Sequence, residues 1–304
     1  MNYRAVPTTC PYCGCGCGII LQVIDGRIAG VIPDKSSAVN EGKLCIKGWN
    51  ASAFVAHPER LKKPLIKRNG TFGEADWNDA LDLIVNKFKE LKEKYGPSSI
   101  AVLASARCTN EENYLMMKFA RAVLGTNNID HCTRLCHSST VAGLAFAFGS
   151  GAMTNTIPEL EDSDCIFIIG SNTLEQHPLI GRRILKAKEK GAKLIVADPR
   201  AIPMAKFADI YLQIRPGTDV ALLNGIMNVI LTEQLEDKDF IKNRTEGFDE
   251  FKKIINDYPP DIAAKLAGVS KDDLVEAAKM FATAPKGSIV YCMGITQHTT
   301  GVDN

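Results

Sequence analysis

Four cysteines near the start of the chain, Cys10, Cys13, Cys17 and Cys45, constrain its fold more than any other feature. The run reads C-P-Y-C-G-C-G-C-G and is answered downstream by G-K-L-C-I-K-G. Closely spaced thiolates of this kind are the Cys₄ ligand set of an iron–sulfur cluster, and a cluster implies electron transfer. Three rival readings fit less well. The spacing is not the C-x2-C-x2-C-x3-C-P of bacterial ferredoxins. A zinc ribbon wants two C-x2-C pairs, and the second is missing. Ten cysteines would allow a disulfide set, but Met1 to Thr9 holds one Arg and no apolar stretch of the signal-peptide kind. A cytoplasmic address is therefore expected, where clustered thiols bind metal. Cys17 is taken as the third ligand and Cys15 as a spare.

The rest of the composition excludes more than it proposes. A chain of 304 residues has room for about two domains. Its net charge of +1 gives no electrostatic reason to bind nucleic acid or a membrane surface. No apolar run reaches membrane-spanning length. Neither a fixed-period repeat nor a low-complexity tract is present.

Pattern places a small Cys-rich β lobe over residues 1–64, with a hairpin over 18–32 turning at Asp25-Gly26. Residues 65–135 begin a second α/β domain. There Leu81, Ile84, Val85, Phe88 and Leu91 form one stripe of a helix over Trp77–Tyr95. A strand is expected over Ile100–Leu103, and a helix over Asn110–Leu124 capped by Thr109 or Asn110. Residues 136–304 form a doubly wound, mostly parallel-sheet domain. Strands are predicted over Cys165–Ile169, Lys193–Ala197, Ile210–Ile214 and Ser288–Cys292, with helices between them and none after the last. Ligands of such sheets bind beyond the carboxyl ends of the strands. Those ends read Gly170-Ser171-Asn172, Asp198-Pro199-Arg200, Arg215-Pro216-Gly217-Thr218-Asp219 and Met293-Gly294. No G-x-G-x-x-G follows the first of these strands, so a nicotinamide fingerprint is absent. Cys136 and His137 stand side by side; taken alone the pair reads as structural, while its small polar neighbours suit a pocket more than a core.

Together these segments resemble the molybdopterin oxidoreductases that carry a bis-guanine-dinucleotide cofactor, and formate dehydrogenases among them. The match runs through C-P-Y-C, G-K-L-C-I-K-G, H-P-E-R-L-K-K-P-L, W-N-D-A-L, N-Y-L-M-M-K-F-A-R, R-L-C-H-S-S-T-V-A-G, A-D-P-R and C-M-G-I-T-Q, the last a variant of G-M-G-I-T-Q. The resemblance implies that Cys10, Cys13, Cys17 and Cys45 hold a [4Fe–4S] cluster. It puts Lys47 between cluster and pterin and makes Cys136 a ligand of molybdenum or tungsten, with His137 as its catalytic neighbour. Asn172, Asp198, Arg200, Gly217 and Asp219 match dinucleotide contacts.

The implied reaction is oxidation of formate to CO₂, two electrons and a proton, with the electrons passed to an iron–sulfur or flavin partner subunit. His137 separates this subfamily from nitrate reductases, which carry Met at that position. Cys136 separates it from cluster-bearing subunits of respiratory complex I. Family members run more than twice this length. The family's substrate-gripping arginine therefore falls beyond residue 304, and the chain is expected to be an amino-terminal part. A nitrate-reductase-type oxygen-transfer enzyme and a non-catalytic iron–sulfur carrier are the alternative readings.

Overall fold

The computed structural model describes residues 1–304, which divide into two compact units, Met1–Leu135 and Cys136–Asn304. No helix is long and apolar enough to cross a membrane.

The first unit opens with an antiparallel sheet of β1 (Tyr3–Thr9), β2 (Gly18–Ile24) and β3 (Arg27–Pro33), in that order. The turn between β2 and β3 is the expected Asp25-Gly26, and both residues take positive φ, 47° and 80°. That geometry matches the twist of paired strands. β1 carries no sequence signal, because its residues are almost all exposed. Its pairing of Thr9 with Gly18 nonetheless closes the cysteine loop, and Cys10 N–H donates to the Cys17 carbonyl at 2.9 Å. A single helical turn, α1 (Ile46–Trp49), starts directly after Cys45.

A hairpin of β4 (Leu65–Arg68) and β5 (Thr71–Glu74) leads into α2 (Trp77–Tyr95), β6 (Val102–Ala104), α3 (Asn110–Lys118) and β7 (Ile129–His131), with β6 and β7 parallel. Two expectations change here. The apolar stripe of α2 exists, but no residue of the helix is buried; Phe88 alone packs on the small core of Ile100, Val102, Ala120 and Leu124. The helix expected over Asn110–Leu124 widens to a π turn at Phe119 before Gly125 ends it. Its start is as expected: Thr109 and Glu112 form a reciprocal capping box. The turn α4 (Thr133–Cys136) ends at the metal-ligand candidate.

In the second unit α5 (Ser138–Phe148) precedes β8 (Cys165–Ile169), α6 (Thr173–Gln176), α7 (Pro178–Glu189), β9 (Lys193–Ala197) and β10 (Ile210–Leu212). Then come α8 (Asp219–Thr232), α9 (Lys238–Arg244), α10 (Phe248–Ile255), α11 (Pro260–Ala267), α12 (Lys271–Ala282), β11 (Gly287–Tyr291) and α13 (Met293–Thr296). The sheet is parallel throughout, in the order β10-β9-β8-β11. Every residue of β8 is buried, as a strand covered on both faces requires. Cys165, Phe167 and Ile169 face α8, α11 and α12, while Ile166 and Ile168 face α7. The expectation of no helix after the last strand is corrected by α13. The chain turns there because Gly294 N–H donates to the Gly170 carbonyl at 3.0 Å and the backbone stops pairing as strand.

The outer side of α7 is tied by an ion pair. Glu161 is 12% exposed and accepts from Arg183 Nη1 at 2.6 Å and Lys186 Nζ at 3.1 Å. Burial alone would raise its carboxyl pKa, but Lys186 and Arg183 together hold it below the usual value. A lowered folded-state pKa stabilises above the unfolded value and loses that contribution as pH falls through the folded one. Glu161→Gln is therefore expected to cost about 3 kcal/mol near neutral pH, the scale of breaking a buried pair. Denaturant titrations should show the gap between wild type and variant closing in the acid range.

Candidate functional site

The cysteine site lies wholly in the first unit. Cys10, Cys13 and Cys45 are half-buried, and Cys15 and Cys17 are buried. Burial raises the Cys10 thiol, and the Cys13 and Cys45 thiols add to it; the Lys47 ammonium acts in the opposite direction. Cys17 is pushed up to about 12, first by burial and then by Cys13, Cys10 and Cys45. Cys10, Cys13, Cys17 and Cys45 therefore lie near enough to act on one another's charge. No group of three or more His, Cys, Asp or Glu side chains closes to single-ion distances. One zinc at about 2.3 Å from each sulfur would need thiols roughly 4 Å apart. Four thiols gathered in one pocket suit a cluster held by several cysteines, which binds them deprotonated. The donor set fits the group.

Asn40, which the sequence reading missed, holds this pocket in shape. It is 0% exposed. Its Oδ1 accepts from Gly18 N–H at 2.8 Å, and its Nδ2 donates to the Gly18 carbonyl at 3.0 Å and the Lys43 carbonyl at 2.9 Å. One side chain thus ties the residue after Cys17 to the segment before Cys45. Gly18 is required beside it, since a Cβ there would stand 2.8 Å from Ser37 Cβ. The only sequence hint was an Asn beside a Glu41-Gly42 turn, which reads as ordinary turn chemistry.

The second site lies at the carboxyl ends of the parallel strands. The strand order reverses between β8 and β11, since β9 and β10 lie on one side of β8 and β11 on the other. Ligands bind at such a switch point. The two strand ends touch through backbone: a Cβ on Gly170 would stand 2.6 Å from Ile295 N, and one on Gly294 2.5 Å from the Gly170 carbonyl oxygen. Cys136 is at this point. Its thiol donates to Met293 Sδ at 3.1 Å, and Gln297 Nε2 donates to its carbonyl oxygen. His137 Nδ1 is 2.9 Å from Thr140 Oγ1, and the Thr140 side chain also bonds Tyr291.

The remaining candidates line the same rim. Asp198 is buried, and its Oδ1 accepts from Arg200 N–H at 2.8 Å, leaving the Arg200 side chain exposed. Gly217 has φ 80° and open space where a Cβ would be. Asp219 is buried in the first turn of α8, with its Oδ2 3.7 Å from His298 Nε2. Burial raises its carboxyl pKa, its own backbone N–H and His298 oppose the rise, and Asp198 adds to it. Asn172 Oδ1, Thr173 Oγ1, Thr296 Oγ1 and Asn304 Oδ1 are buried polar atoms with no protein partner. Orphaned acceptors and hydroxyls following β8 and β11 suit a large polar ligand.

Two family models match this chain. The family model for the molybdopterin oxidoreductase Fe4S4 domain matches residues 3–57, and that for molybdopterin oxidoreductase matches residues 60–304. The chain belongs to the molybdopterin oxidoreductase family, and a [4Fe–4S] cluster and a molybdopterin are its cofactors. It is 57% identical, over its whole length, to F420-dependent formate dehydrogenase 1 subunit alpha of Methanococcus maripaludis, covering 44% of that protein. It is 56% identical to F420-dependent formate dehydrogenase subunit alpha of Methanocaldococcus jannaschii, again over 44% of its length. Acetylene hydratase from Pelobacter acetylenicus superposes with a TM-score of 0.84 at 31% identity, over 95% of this chain and 40% of that one. The chain thus spans less than half the length of the relatives it matches.

Asn40→Ala takes its partner from the Gly18 N–H and the Lys43 carbonyl, at about 1–3 kcal/mol each, while the Gly18 carbonyl keeps Asp34 N–H. It is expected to lower iron per chain after anaerobic purification, while Cys15→Ser keeps wild-type iron. Full iron in Asn40→Ala, or iron loss in Cys15→Ser equal to that in Cys17→Ser, would count against this account.

Proposed function

We infer that the protein of which this chain is part oxidises formate to CO₂, releasing two electrons and a proton. The observation that carries the reading is the Cys136–His137 pair at the switch point of a molybdopterin-family sheet, supported by the two formate dehydrogenase alpha subunits above 55% identity. When bound, the bis-guanine-dinucleotide form of molybdopterin supplies molybdenum or tungsten as the two-electron acceptor.

The residues divide the remaining work. Cys136 ligates through its thiolate, a soft donor that must first lose its proton. His137 has Nδ1 engaged by Thr140, which leaves Nε2 to hold the substrate's proton. Asn172, Asp198, Arg200, Gly217 and Asp219 hold the dinucleotides at the strand ends. Cys10, Cys13, Cys17 and Cys45 hold the cluster, and Lys47 sets the charge beside it. The relatives' names specify an alpha subunit and F420 dependence. On that basis the electrons leave through a partner subunit towards F420. A thiol-rich cluster site of this kind suits a reducing cytoplasm.

A nitrate reductase of Symbiobacterium thermophilum is 40% identical over 97% of this chain, so the two chemistries are to be tested side by side. The whole enzyme is expected to reduce an artificial acceptor with formate and to show no nitrate-dependent oxidation of a reduced dye. Cys136→Ala should abolish the formate reaction and leave the iron–sulfur absorption intact. Nitrate turnover without formate turnover would sink the reading.

Lys47 tests the electron path. Its ammonium already acts on the Cys10 thiol, so a positive charge there favours the more negative, reduced cluster. Lys47→Met removes the charge at nearly constant length. The cluster potential is expected to fall by on the order of 50 mV, equivalent to about 1 kcal/mol for one electron. Redox titration of a fully loaded variant reads this directly, and a wild-type potential would refute it.

A further inference from the structure

The inference concerns how Cys136 is held, and it rests on the formate dehydrogenase reading only in taking Cys136 as the metal's ligand. α13 is a single turn, yet it is fixed on several sides. Gly294 N–H bonds the Gly170 carbonyl, and the two glycines approach so closely that neither position admits a Cβ without displacing backbone. Ile295 and Thr296 are buried at 4% and 5% exposure. Asn304 Nδ2 donates to the Ile295 carbonyl at 2.6 Å, and His298 Nε2 is 2.8 Å from the Gly294 carbonyl oxygen. Gly301 packs so tightly on the Thr296 carbonyl that a Cβ there would overlap it. The turn is therefore part of the sheet's rigid frame.

Two side chains leave this frame towards Cys136. Met293 Sδ accepts from the Cys136 thiol, and Gln297 Nε2 donates to the Cys136 carbonyl. Met293 and Gln297 are four residues apart, so a single helical turn puts them on one face. One contact sets the thiol's direction and the other the height of its peptide. We propose that Gln297, assisted by Met293, is a positioning residue that fixes Cys136 for metal ligation. Neither residue touches substrate in this role. Once the thiol has lost its proton, the S–H···S contact is gone, and the Gln297 hydrogen bond to the peptide is the one that persists. Gln297 is thus the stronger test.

The test uses the whole enzyme, loaded with metal and with its partner subunit. Gln297→Ala removes the donor, and Gln297→Glu keeps the length but presents an acceptor to a carbonyl. Metal and iron content, formate kinetics and the metal-edge X-ray absorption spectrum without substrate are measured on each. Both variants are expected to keep wild-type metal and iron. Their kcat should fall on the order of ten- to a hundredfold, the cost of a misplaced reacting group. The formate KM should stay within about twofold, and the metal–sulfur scattering should weaken or broaden. Gly294→Ala, which shifts the whole turn, should give the same spectral change with Gln297 present. A wild-type spectrum and kcat in loaded Gln297→Ala would overturn the proposal. So would loss of metal in step with activity, since that assigns Gln297 to cofactor retention. The spectrum needs no formate, so failure of the clamp and failure of the formate reading give different results.

Discussion

The second unit depends on the burial and register of one strand, β8. Its five residues are all covered, and it pairs β9 on one edge and β11 on the other, both from Cys165 onward. Ile169 therefore stands level with Ala197 and with Tyr291, and Ala197 with Leu212. Four strands end on one line, so the four loops beyond them form a single rim. A one-residue slip of β8 would reverse its two faces between the α7 core and the α8–α12 core. It would also break the rim, because Gly170 would no longer meet Gly294.

The two sites solve opposite electrostatic problems. The cysteine pocket gathers groups that repel once ionised, buries them and relies on a cationic cluster to make them compatible. Asn40 holds the two halves of that pocket together through backbone. The strand-end rim gathers neutral, acidic and basic groups together with orphaned acceptors and hydroxyls, which suit a large polar ligand. The first is organised by charge, the second by unfilled valence of the hydrogen-bonding kind.

Much of this was legible in the sequence because the signals were local. β8 and β9 read as unbroken apolar runs, Asp25-Gly26 as a hairpin turn and Thr109 or Asn110 as a helix cap, and each forms where its own residues place it, with Thr109 the cap. The clustered thiols were conspicuous because their spacing is local, although spacing did not by itself separate Cys15 from Cys17. What escaped was set by distant partners. β1 is exposed and owes its strand to β2. The stripe on α2 was read correctly, yet no residue of that helix is buried. Asn40 and Gln297 look like ordinary polar residues in sequence; their roles come from Gly18, Lys43 and Cys136, and only Lys43 lies nearby. α13 escaped because a turn fixed by two glycine backbones carries no periodicity.

The contacts on Cys136 have a consequence for the order in which the protein is made. Met293 lies 157 residues after Cys136, and Gln297 lies 161 after it. The strand that delivers them, β11, follows β8, β9 and β10 in sequence yet pairs with β8. On a ribosome, the cysteine emerges long before anything that can hold it, and contacts of such sequence separation form late. The Cys136 thiol and carbonyl therefore gain these two contacts only after β11 has paired with β8 and α13 has turned beside it.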